Sequence, residues 1–381
     1  MIWMITVSKV ITHVALVQKW VNDLLAPVIM LMTPTSYECL CENHGGADMG
    51  ILKLNPACKD YLWGGHRLVE EYGKKYDGDV LAETWELSCH PDGPSTIANG
   101  AFTGKTLTEY IRENKENGRE VLGKNCRRFA DFPILIKFID AKKDLSIQVH
   151  PDNSYALKNE NQYGKTEMWY VMDAKPGAFL YYGFEREISR EEFRKRIEDD
   201  TLTEVLHAEP VKKGDVLFIE PGTIHAIGKG ILLAEIQQNS NVTYRVYDYG
   251  RVGKDGKKRE LHIDKAIDVT RRTPVENKDH GYPHVADCDY FTVDSLVLNG
   301  TTMRSLHGRV SDDSFVSLLV LDGEGSVLCE KGNKNAPADD GGEKRMDFHK
   351  GDSLFLPAGS GRFRIKGCCH ILMTTVRAQV D

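Results

Sequence analysis

The sequence predicts a mainly β protein, and three observations lead to that prediction. Short apolar runs follow one another from residue 130 onward, and Gly, Pro, Asn or Asp separates most of them. Only two stretches carry a helical pattern. A ten-residue segment recurs near the end of the chain, so the β structure is expected in two copies. Short strands at regular spacing are typical of a sandwich or a barrel.

The strand candidates show either alternation or a short, continuous apolar run. Between Leu145 and His150, apolar residues alternate strictly with polar ones, which gives the period of two of a strand with two different faces. Continuous runs of this length are typical of buried strands. The further candidates are Ile134 to Ile139, Met168 to Met172, Phe179 to Tyr182, Val216 to Ile219 and Ile231 to Ile236.

Two helices are predicted as excursions from this β core. One runs from about Thr106 to Asn117, and the other runs from Ser189 to about Leu206, within an excursion over residues 186–208. Ser189 and Glu192 have the spacing of a capping box at the start of the second helix.

The repeated segment predicts two related units. Residues 213–222 read KGDVLFIEPG, and residues 350–359 read KGDSLFLPAG. The shared pattern resembles the second half of a cupin motif, so two cupin-like β-barrels of the jelly-roll type are expected. The first copy continues to His225, whereas the second continues to Arg362 and Phe363 without a histidine. Only the first unit is therefore expected to hold a metal ion at this position.

Three regions are predicted along the 381 residues. Residues 1–48 are expected to be a dispensable or disordered extension, with Met49 as the natural start; a membrane-associating helix and a targeting signal are the alternatives. Lys9, Lys19 and Asp23 interrupt the apolar stretch, which leaves no run of the roughly 18–20 residues that span a membrane. Residues 49–285 are predicted to be a catalytic, metal-binding domain, and residues 286–381 a metal-free domain.

Composition limits the partners. The formal charge of −7 argues against nucleic acid, because no basic excess is available to neutralise phosphates. The nine cysteines form no CxxC pair, which favours a reduced, cytoplasmic chain over a disulfide scaffold. No membrane partner is expected.

Four residues form a candidate metal site. Gln148 and His150 are two apart, so their side chains leave the same face of one strand. Glu167 begins the next strand candidate, and His225 follows the Pro-Gly turn. Such a ligand set suits zinc with open positions, and it would also suit Fe(II), Mn or Co. The structural alternative is that the histidines are ordinary core residues and that Glu167 pairs with Lys165.

Several motifs resemble those of type I mannose-6-phosphate isomerases, in the short bacterial-type branch. They occur in the family's order over about residues 50 to 380. They are LWGG at 62–65, AETWELS at 82–88, LSIQVHP at 145–151, GKTEMWY at 164–170 and PGTIHA at 221–226.

The resemblance implies a cupin fold, one zinc ion per chain and interconversion of mannose 6-phosphate and fructose 6-phosphate. It implies Gln148, His150, Glu167 and His225 as metal ligands and Arg245 and Lys165 as catalytic residues. Ser146 and Lys137 match family positions near the sugar phosphate.

The chemistry explains why such residues are needed. An aldose–ketose isomerase moves a proton between C1 and C2 through an enediol or enediolate, whose negative charge a metal and a fixed guanidinium can stabilise. Arg245 could serve in this way, grip the phosphate, or form an ordinary salt bridge with Asp248. The general base is left open among Lys165, a water on the metal and Glu235.

Two other functions remain open on the sequence alone. One is a non-catalytic cupin that binds a sugar phosphate or regulates another protein. The other is an Fe(II) oxygenase, which the amide side chain of Gln148 disfavours. A small sugar phosphate is the expected partner, and the chain is expected to be a monomer.

Overall fold

A computed structural model describes residues 50–253, 256–277, 281–329 and 344–379. The predicted extension over residues 1–48 lies outside the described residues. The strands are β1 (Leu52–Asn55), β2 (Ala57–Lys59), β3 (Glu83–Leu87), β4 (Thr96–Ile97), β5 (Ile134–Ala141), β6 (Ile147–Val149), β7 (Glu167–Ala174), β8 (Phe179–Phe184), β9 (Leu206–Pro210), β10 (Val216–Ile219), β11 (His225–Ile227), β12 (Ile231–Gln238), β13 (Tyr244–Tyr247), β14 (His284–Asp287), β15 (Thr292–Asn299), β16 (Ser305–Val310), β17 (Val316–Cys329), β18 (Lys344–His349), β19 (Ser353–Leu356) and β20 (Gly361–Thr375).

Helices are few and short. They are α1 (Arg67–Glu70), α2 (Leu107–Glu116), α3 (Asn153–Glu160), α4 (Arg190–Glu198) and α5 (Ile263–Val269), with 3-10 turns at Gly100–Phe102, Lys124–Arg128 and Leu202–Val205. Over the described ranges, none of these helices has the length and apolar character needed to cross a membrane. The prediction of a mainly β protein is therefore confirmed.

The strands form three antiparallel sheets. One has the order β10-β7-β12-β5-β3-β2, and a second has the order β13-β6-β11-β8-β9. The third contains nine strands along the path β14-β15-β20-β17-β19-β1-β4, with β16 beside β20 and β18 beside β17. Each path runs from one edge strand to another. The predicted cupin-like architecture is therefore confirmed, with sheets that are not closed into barrels. The core lies between facing sheets, and such packing needs no closed barrel.

The six-stranded sheet is the middle layer. On one face, Trp169 and Val171 pack in a common core with Leu180 and Ile227 of the five-stranded sheet. On the other face, side chains such as Phe138 share a core with residues of the nine-stranded sheet, including Phe355. The first described strand, β1, also pairs with β19 in the nine-stranded sheet. The predicted domain boundary after residue 285 stays a prediction.

Local signals explain both predicted helices. Helix α2 begins with a full capping box, in which Thr106 Oγ1 accepts from the Glu109 amide and Glu109 accepts from the Thr106 amide. Helix α4 begins after Ser189, whose Oγ accepts from the Glu192 amide at 3.0 Å. The prediction that this helix continues to Leu206 is wrong, because the helix ends at Glu198 and Asp200 adopts a left-handed φ of 57°.

The repeated segments fold alike. The first copy forms β10 and the second forms β19. Gly214 and Gly351, which precede these strands, have φ values of 96° and 90°. Positive φ is the conformation that glycine adopts without a steric penalty, so the recurring Gly-Asp pair marks the same turn in both copies.

Candidate metal centre

Three of the four predicted ligands lie together in the core. Across the described ranges, His150, Glu167 and His225 form a buried group whose ligand atoms all lie within 4.8 Å of one another. Glu167 Oε1 is 3.4 Å from His150 Nε2, and Glu167 Oε2 is 3.7 Å from His225 Nε2. The structure thus brings together residues that are up to 75 positions apart in the sequence.

Strand register explains this arrangement. In the five-stranded sheet, Gln148 lies directly opposite both His225 and Arg245, so the three side chains share one face. His150 follows Gln148 by two residues and therefore leaves the same face. Glu167 comes from β7 in the six-stranded sheet. His150, Glu167 and His225 therefore meet between the two facing sheets, and Gln148 lies in register beside them.

Backbone carbonyls orient both imidazoles. His150 Nδ1 donates to the Val242 carbonyl at 2.8 Å, and His225 Nδ1 donates to the Thr223 carbonyl at 2.9 Å. Because a carbonyl oxygen only accepts, each ring carries its proton on Nδ1 and presents a lone pair on Nε2. Neither Nε2 atom has a hydrogen-bond partner, although both are buried. Such orphaned acceptors beside a carboxylate fit a bound cation.

The electrostatics of the group agree with this interpretation. Burial lowers the pKa of His150 well below its usual value and that of His225 to about 4, so both rings are neutral. Burial, together with the charge of Glu235, raises the pKa of Glu167 to about 7. A cation at this position would favour the ionised carboxylate. Two neutral imidazoles and one carboxylate form a donor set that suits a divalent metal.

Lys165 lies beside the ligand group. Its Nζ is 2.9 Å from Glu167 Oε1, and its side chain is buried. The backbone amide of Lys165 donates to the Pro151 carbonyl at 3.0 Å, which links it to the strand of His150. The pairing that the sequence offered as a structural alternative therefore exists, and it sits within the candidate site.

Arg245 lies on β13, on the same face of the five-stranded sheet as Gln148. Its Nε donates to Ser146 Oγ at 3.3 Å, and its Nη1 donates to the Glu260 carbonyl at 3.0 Å. Burial, followed by the charge of Arg259, lowers the pKa of Arg245.

The salt bridge considered between Arg245 and Asp248 is not formed. Asp248 is instead bound by Arg251 and Arg259. Within the described part of the chain, no carboxylate lies within ion-pair distance of Arg245.

Lys137 is part of a row that the sequence analysis did not foresee. Across four strands of the six-stranded sheet, the register aligns Trp85, Lys137, Glu235 and Trp169. Lys137 Nζ lies 3.0 Å from Glu235 Oε1 and 3.6 Å from Glu83 Oε2. Trp169 Nε1 donates to Glu235 and Trp85 Nε1 donates to Glu83, each at 2.8 Å.

Ion pairing determines the pKa shifts of the charged residues in this row. Burial alone would lower the pKa of Lys137, but the carboxylates of Glu235 and Glu83 outweigh it and raise the pKa. Burial opposes ionisation of Glu235, yet Lys137 and Lys165 hold its pKa below the usual value. One sequence signal was present. A single charged residue stands in each of the apolar runs ILIKFI (134–139) and LLAEIQ (232–237), and buried charges need partners.

Family models match both ends of the described chain. Residues 51–176 match the model described as "Phosphomannose isomerase type I, catalytic domain". Residues 282–376 match the model described as "Mannose-6-phosphate isomerase, cupin domain".

Individual relatives give the same result. A mannose-6-phosphate isomerase of Streptococcus mutans is 37% identical over 319 residues, which are 82% of this chain and 93% of the relative. The crystal structure of the mannose 6-phosphate isomerase from Bacillus subtilis superposes with a TM-score of 0.73 at 34% identity, covering 85% of this chain and 99% of that chain. A mannose 6-phosphate isomerase bound with zinc and yttrium has a TM-score of 0.66 at 18% identity, covering 86% and 99%.

Proposed function

Because the chain belongs to the type I mannose-6-phosphate isomerases, we propose that it interconverts mannose 6-phosphate and fructose 6-phosphate. The observation that carries the proposal is the buried group of His150, Glu167 and His225, with Lys165 beside it and Arg245 on the same sheet face. The alternative of a binding protein without activity has no specific observation in its favour.

The metal set we propose is Gln148, His150, Glu167 and His225, holding one zinc ion per chain. Two imidazoles, a carboxylate and an amide oxygen leave room in the coordination sphere for substrate. The register of Gln148 opposite His225 supports its membership. When bound, the metal supplies Lewis-acid stabilisation of the negative charge that develops on the sugar oxygens.

Arg245 and Lys165 are the proposed catalytic residues. The guanidinium of Arg245, held by Ser146 and the Glu260 carbonyl, adds a fixed positive charge for the enediolate. Lys165 is placed to move a proton, either at the ring hydroxyl during ring opening or between C1 and C2. Glu235, which its cationic neighbours hold ionised, is the second candidate for the base at carbon.

Ser146 and Lys137 are the proposed residues near the sugar phosphate. Ser146 is buried and contacts Arg245, which supports a place for it beside the substrate. The amine of Lys137 lies between two carboxylates. We therefore propose that Lys137 contributes a positive charge near the sugar phosphate and does not bind the phosphate directly. We also propose that the chain acts in the cytoplasm and as a monomer. Six cysteines form no disulfide, which is in keeping with a reducing compartment: Cys58, Cys89, Cys126, Cys288, Cys368 and Cys369.

The test is a coupled assay of fructose 6-phosphate formation from mannose 6-phosphate. It compares the zinc-loaded protein, the chelated protein and His150→Ala, with His307→Ala as a matched control because His307 is exposed and lies in β16. Loss of the metal site should lower kcat by about three orders of magnitude, since metal-ion stabilisation is worth several kcal/mol. A folded, zinc-loaded protein without turnover would refute the proposal.

A further assay separates the two candidate bases. Lys165→Met and Glu235→Gln are compared for exchange of the substrate C2 proton with solvent deuterium. Loss of the base that removes the carbon-bound proton should abolish both the exchange of the C2 proton and turnover. Loss of a ring-opening group slows turnover of the cyclic sugar but leaves exchange intact in the open-chain form.

A further inference from the structure

A large cavity lies outside the candidate metal centre. Its volume is about 1220 Å³, and its lining includes none of the residues assigned above to the metal, to catalysis or to the substrate. The walls come from residues 89–92, helix α2, residues 118–132 and residues 157–163, which immediately precede Gly164 and Lys165. Sites for small molecules usually enclose about 300–1,000 Å³, so the space is ample for one.

Three cations on one wall have no ionic partner. Arg112 and Lys115 are three residues apart on α2 and therefore share a face, and Arg119 follows the end of that helix. Among the described residues, none of these three side chains forms an ion pair or a hydrogen bond. The contrast with Arg127 on the same wall is informative, because Glu120 already binds its guanidinium.

The acidic groups of the cavity do not neutralise the positive charge of Arg112, Lys115 and Arg119. Glu120 is occupied by Arg127, and Asp92 Oδ2 accepts from Asn241 Nδ2 at 2.9 Å. Asp131 is the third acid of the lining. The lining thus carries four cations against three acids, in a chain whose net charge is −7.

His90 supplies a neutral donor in the same lining. Its Nδ1 accepts from the Asp92 amide at 3.1 Å, so the ring proton lies on Nε2. Within the described residues, Nε2 has no hydrogen-bond partner. The ring is held edge-on to Trp85 at 5.6 Å and is 7% exposed, so its direction is fixed.

We propose that this cavity is a second binding site, for a small phosphorylated ligand of the sugar-phosphate class. Arg112, Lys115 and Arg119 would bind the phosphate, because guanidinium and ammonium groups make strong charge-assisted hydrogen bonds to phosphate oxygens. His90 would donate from Nε2 to an oxygen of the same ligand. The site goes beyond the proposed isomerase centre, and its existence does not depend on turnover there.

The test counts bound ligand by equilibrium dialysis with radiolabelled fructose 6-phosphate. The wild type is expected to bind two equivalents per chain, one in each site. In Arg112→Ala/Arg119→Ala, the affinity for the second equivalent should fall about tenfold or more, since each lost contact involves a charged group. Lys195→Ala/Lys366→Ala removes two exposed cations outside the cavity and should keep both equivalents.

Competition identifies what is recognised. Excess inorganic phosphate should displace the second equivalent, whereas unphosphorylated mannose should not. A single equivalent in the wild type that Arg112→Ala/Arg119→Ala leaves unchanged, or two tightly bound equivalents in the double variant, would overturn the proposal. Failure of the proposed isomerase function would appear separately, as absence of turnover in the coupled assay.

Discussion

Lys137 carries its charge inside the middle layer of the molecule, where its side chain is only 6% exposed. Two glutamates flank its amine, and the indole of Trp85 lies 5.3 Å from it. Removing one partner of a buried ion pair leaves the other charge without compensation, which is more harmful than replacing the whole pair. The position therefore contributes to stability as well as to the field around the metal centre.

Lys137→Met is expected to lower the free energy of unfolding by about 3–5 kcal/mol, because Glu235 and Glu83 then remain buried without a cation. Urea denaturation measures the loss. Lys143→Met, at an exposed lysine just beyond β5, serves as the control and should change stability by no more than about 0.5 kcal/mol. Lys137→Met/Glu235→Leu should recover part of the loss; additive losses in the double variant would contradict the argument.

A second residue-scale prediction concerns pH. His284 Nδ1 lies 2.9 Å from Asp294 Oδ1 across the β14–β15 pair, and this contact raises the pKa of His284. A raised pKa in the folded state gives stability that is complete below the unfolded value of about 6.5 and is lost as pH rises through the folded value. His284→Gln should therefore destabilise the protein more at pH 6 than at pH 9. Equal losses of unfolding free energy at both pH values would exclude this pairing.

Residue types and spacing were sufficient to indicate the metal centre, but not its surroundings. His150 and His225 could be predicted because each stands in a recognisable strand or turn motif. The contact between Lys137 and Glu235 joins residues 98 positions apart through strand register, which local periodicity does not specify. The tautomer of His90 could not be predicted either, because it depends on a hydrogen bond from the backbone amide of Asp92.

At the scale of elements, the repeated turns offer a matched comparison. Gly214 and Gly351 have nearly the same φ, yet their surroundings differ. A Cβ at Gly351 would lie 2.5 Å from the Tyr72 carbonyl oxygen, whereas a Cβ at Gly214 would have only Tyr170 Oη at 3.9 Å. Backbone conformation and steric space can therefore be separated experimentally.

Gly214→Ala is expected to cost about 1–2 kcal/mol, which is the penalty of a left-handed conformation for a residue with Cβ. Gly351→Ala should cost clearly more, because the backbone at Tyr72 must also move. Midpoints of urea unfolding at unchanged slope give both values. Similar losses in the two variants would show that the contact with Tyr72 is absent.

The main strands around the site and two of the five described helices were predictable, whereas the short helices α1, α3 and α5, the ends of elements and the extent of sheet closure were not. Val216 to Ile219 was predicted as a strand and is β10 with the same bounds, since glycine turns bracket it. The helix from Ser189 was predicted too long, because Val205 and Leu206 continue its apolar stripe after the backbone has already turned at Asp200. Closure of a sheet depends on pairings between distant strands, which alternation within a strand does not reveal.

At the scale of the whole molecule, the nine-stranded sheet and the middle layer share one core. Phe355 of β19 is fully buried, stacks on Phe315 at 5.1 Å and pairs in register with Leu52 of β1. The same core contains Phe138 of the six-stranded sheet. A sheet that takes strands from both ends of the described chain is expected to unfold together with the layer it covers.

Tryptophan fluorescence can test this coupling, because Trp85 in β3 and Trp169 in β7 belong to the six-stranded sheet. Phe355→Ala, far along the chain, should lower the unfolding midpoint seen by fluorescence as much as the midpoint seen by far-UV circular dichroism, with a loss of about 3–5 kcal/mol. Val297→Ala in β15 is the control; its side chain is 41% exposed, so a change within about 0.5 kcal/mol is expected. In Phe355→Ala, circular dichroism could instead show a first unfolding step at which fluorescence does not change. The nine-stranded sheet would then unfold on its own, and β1 and the shared core would not couple the layers.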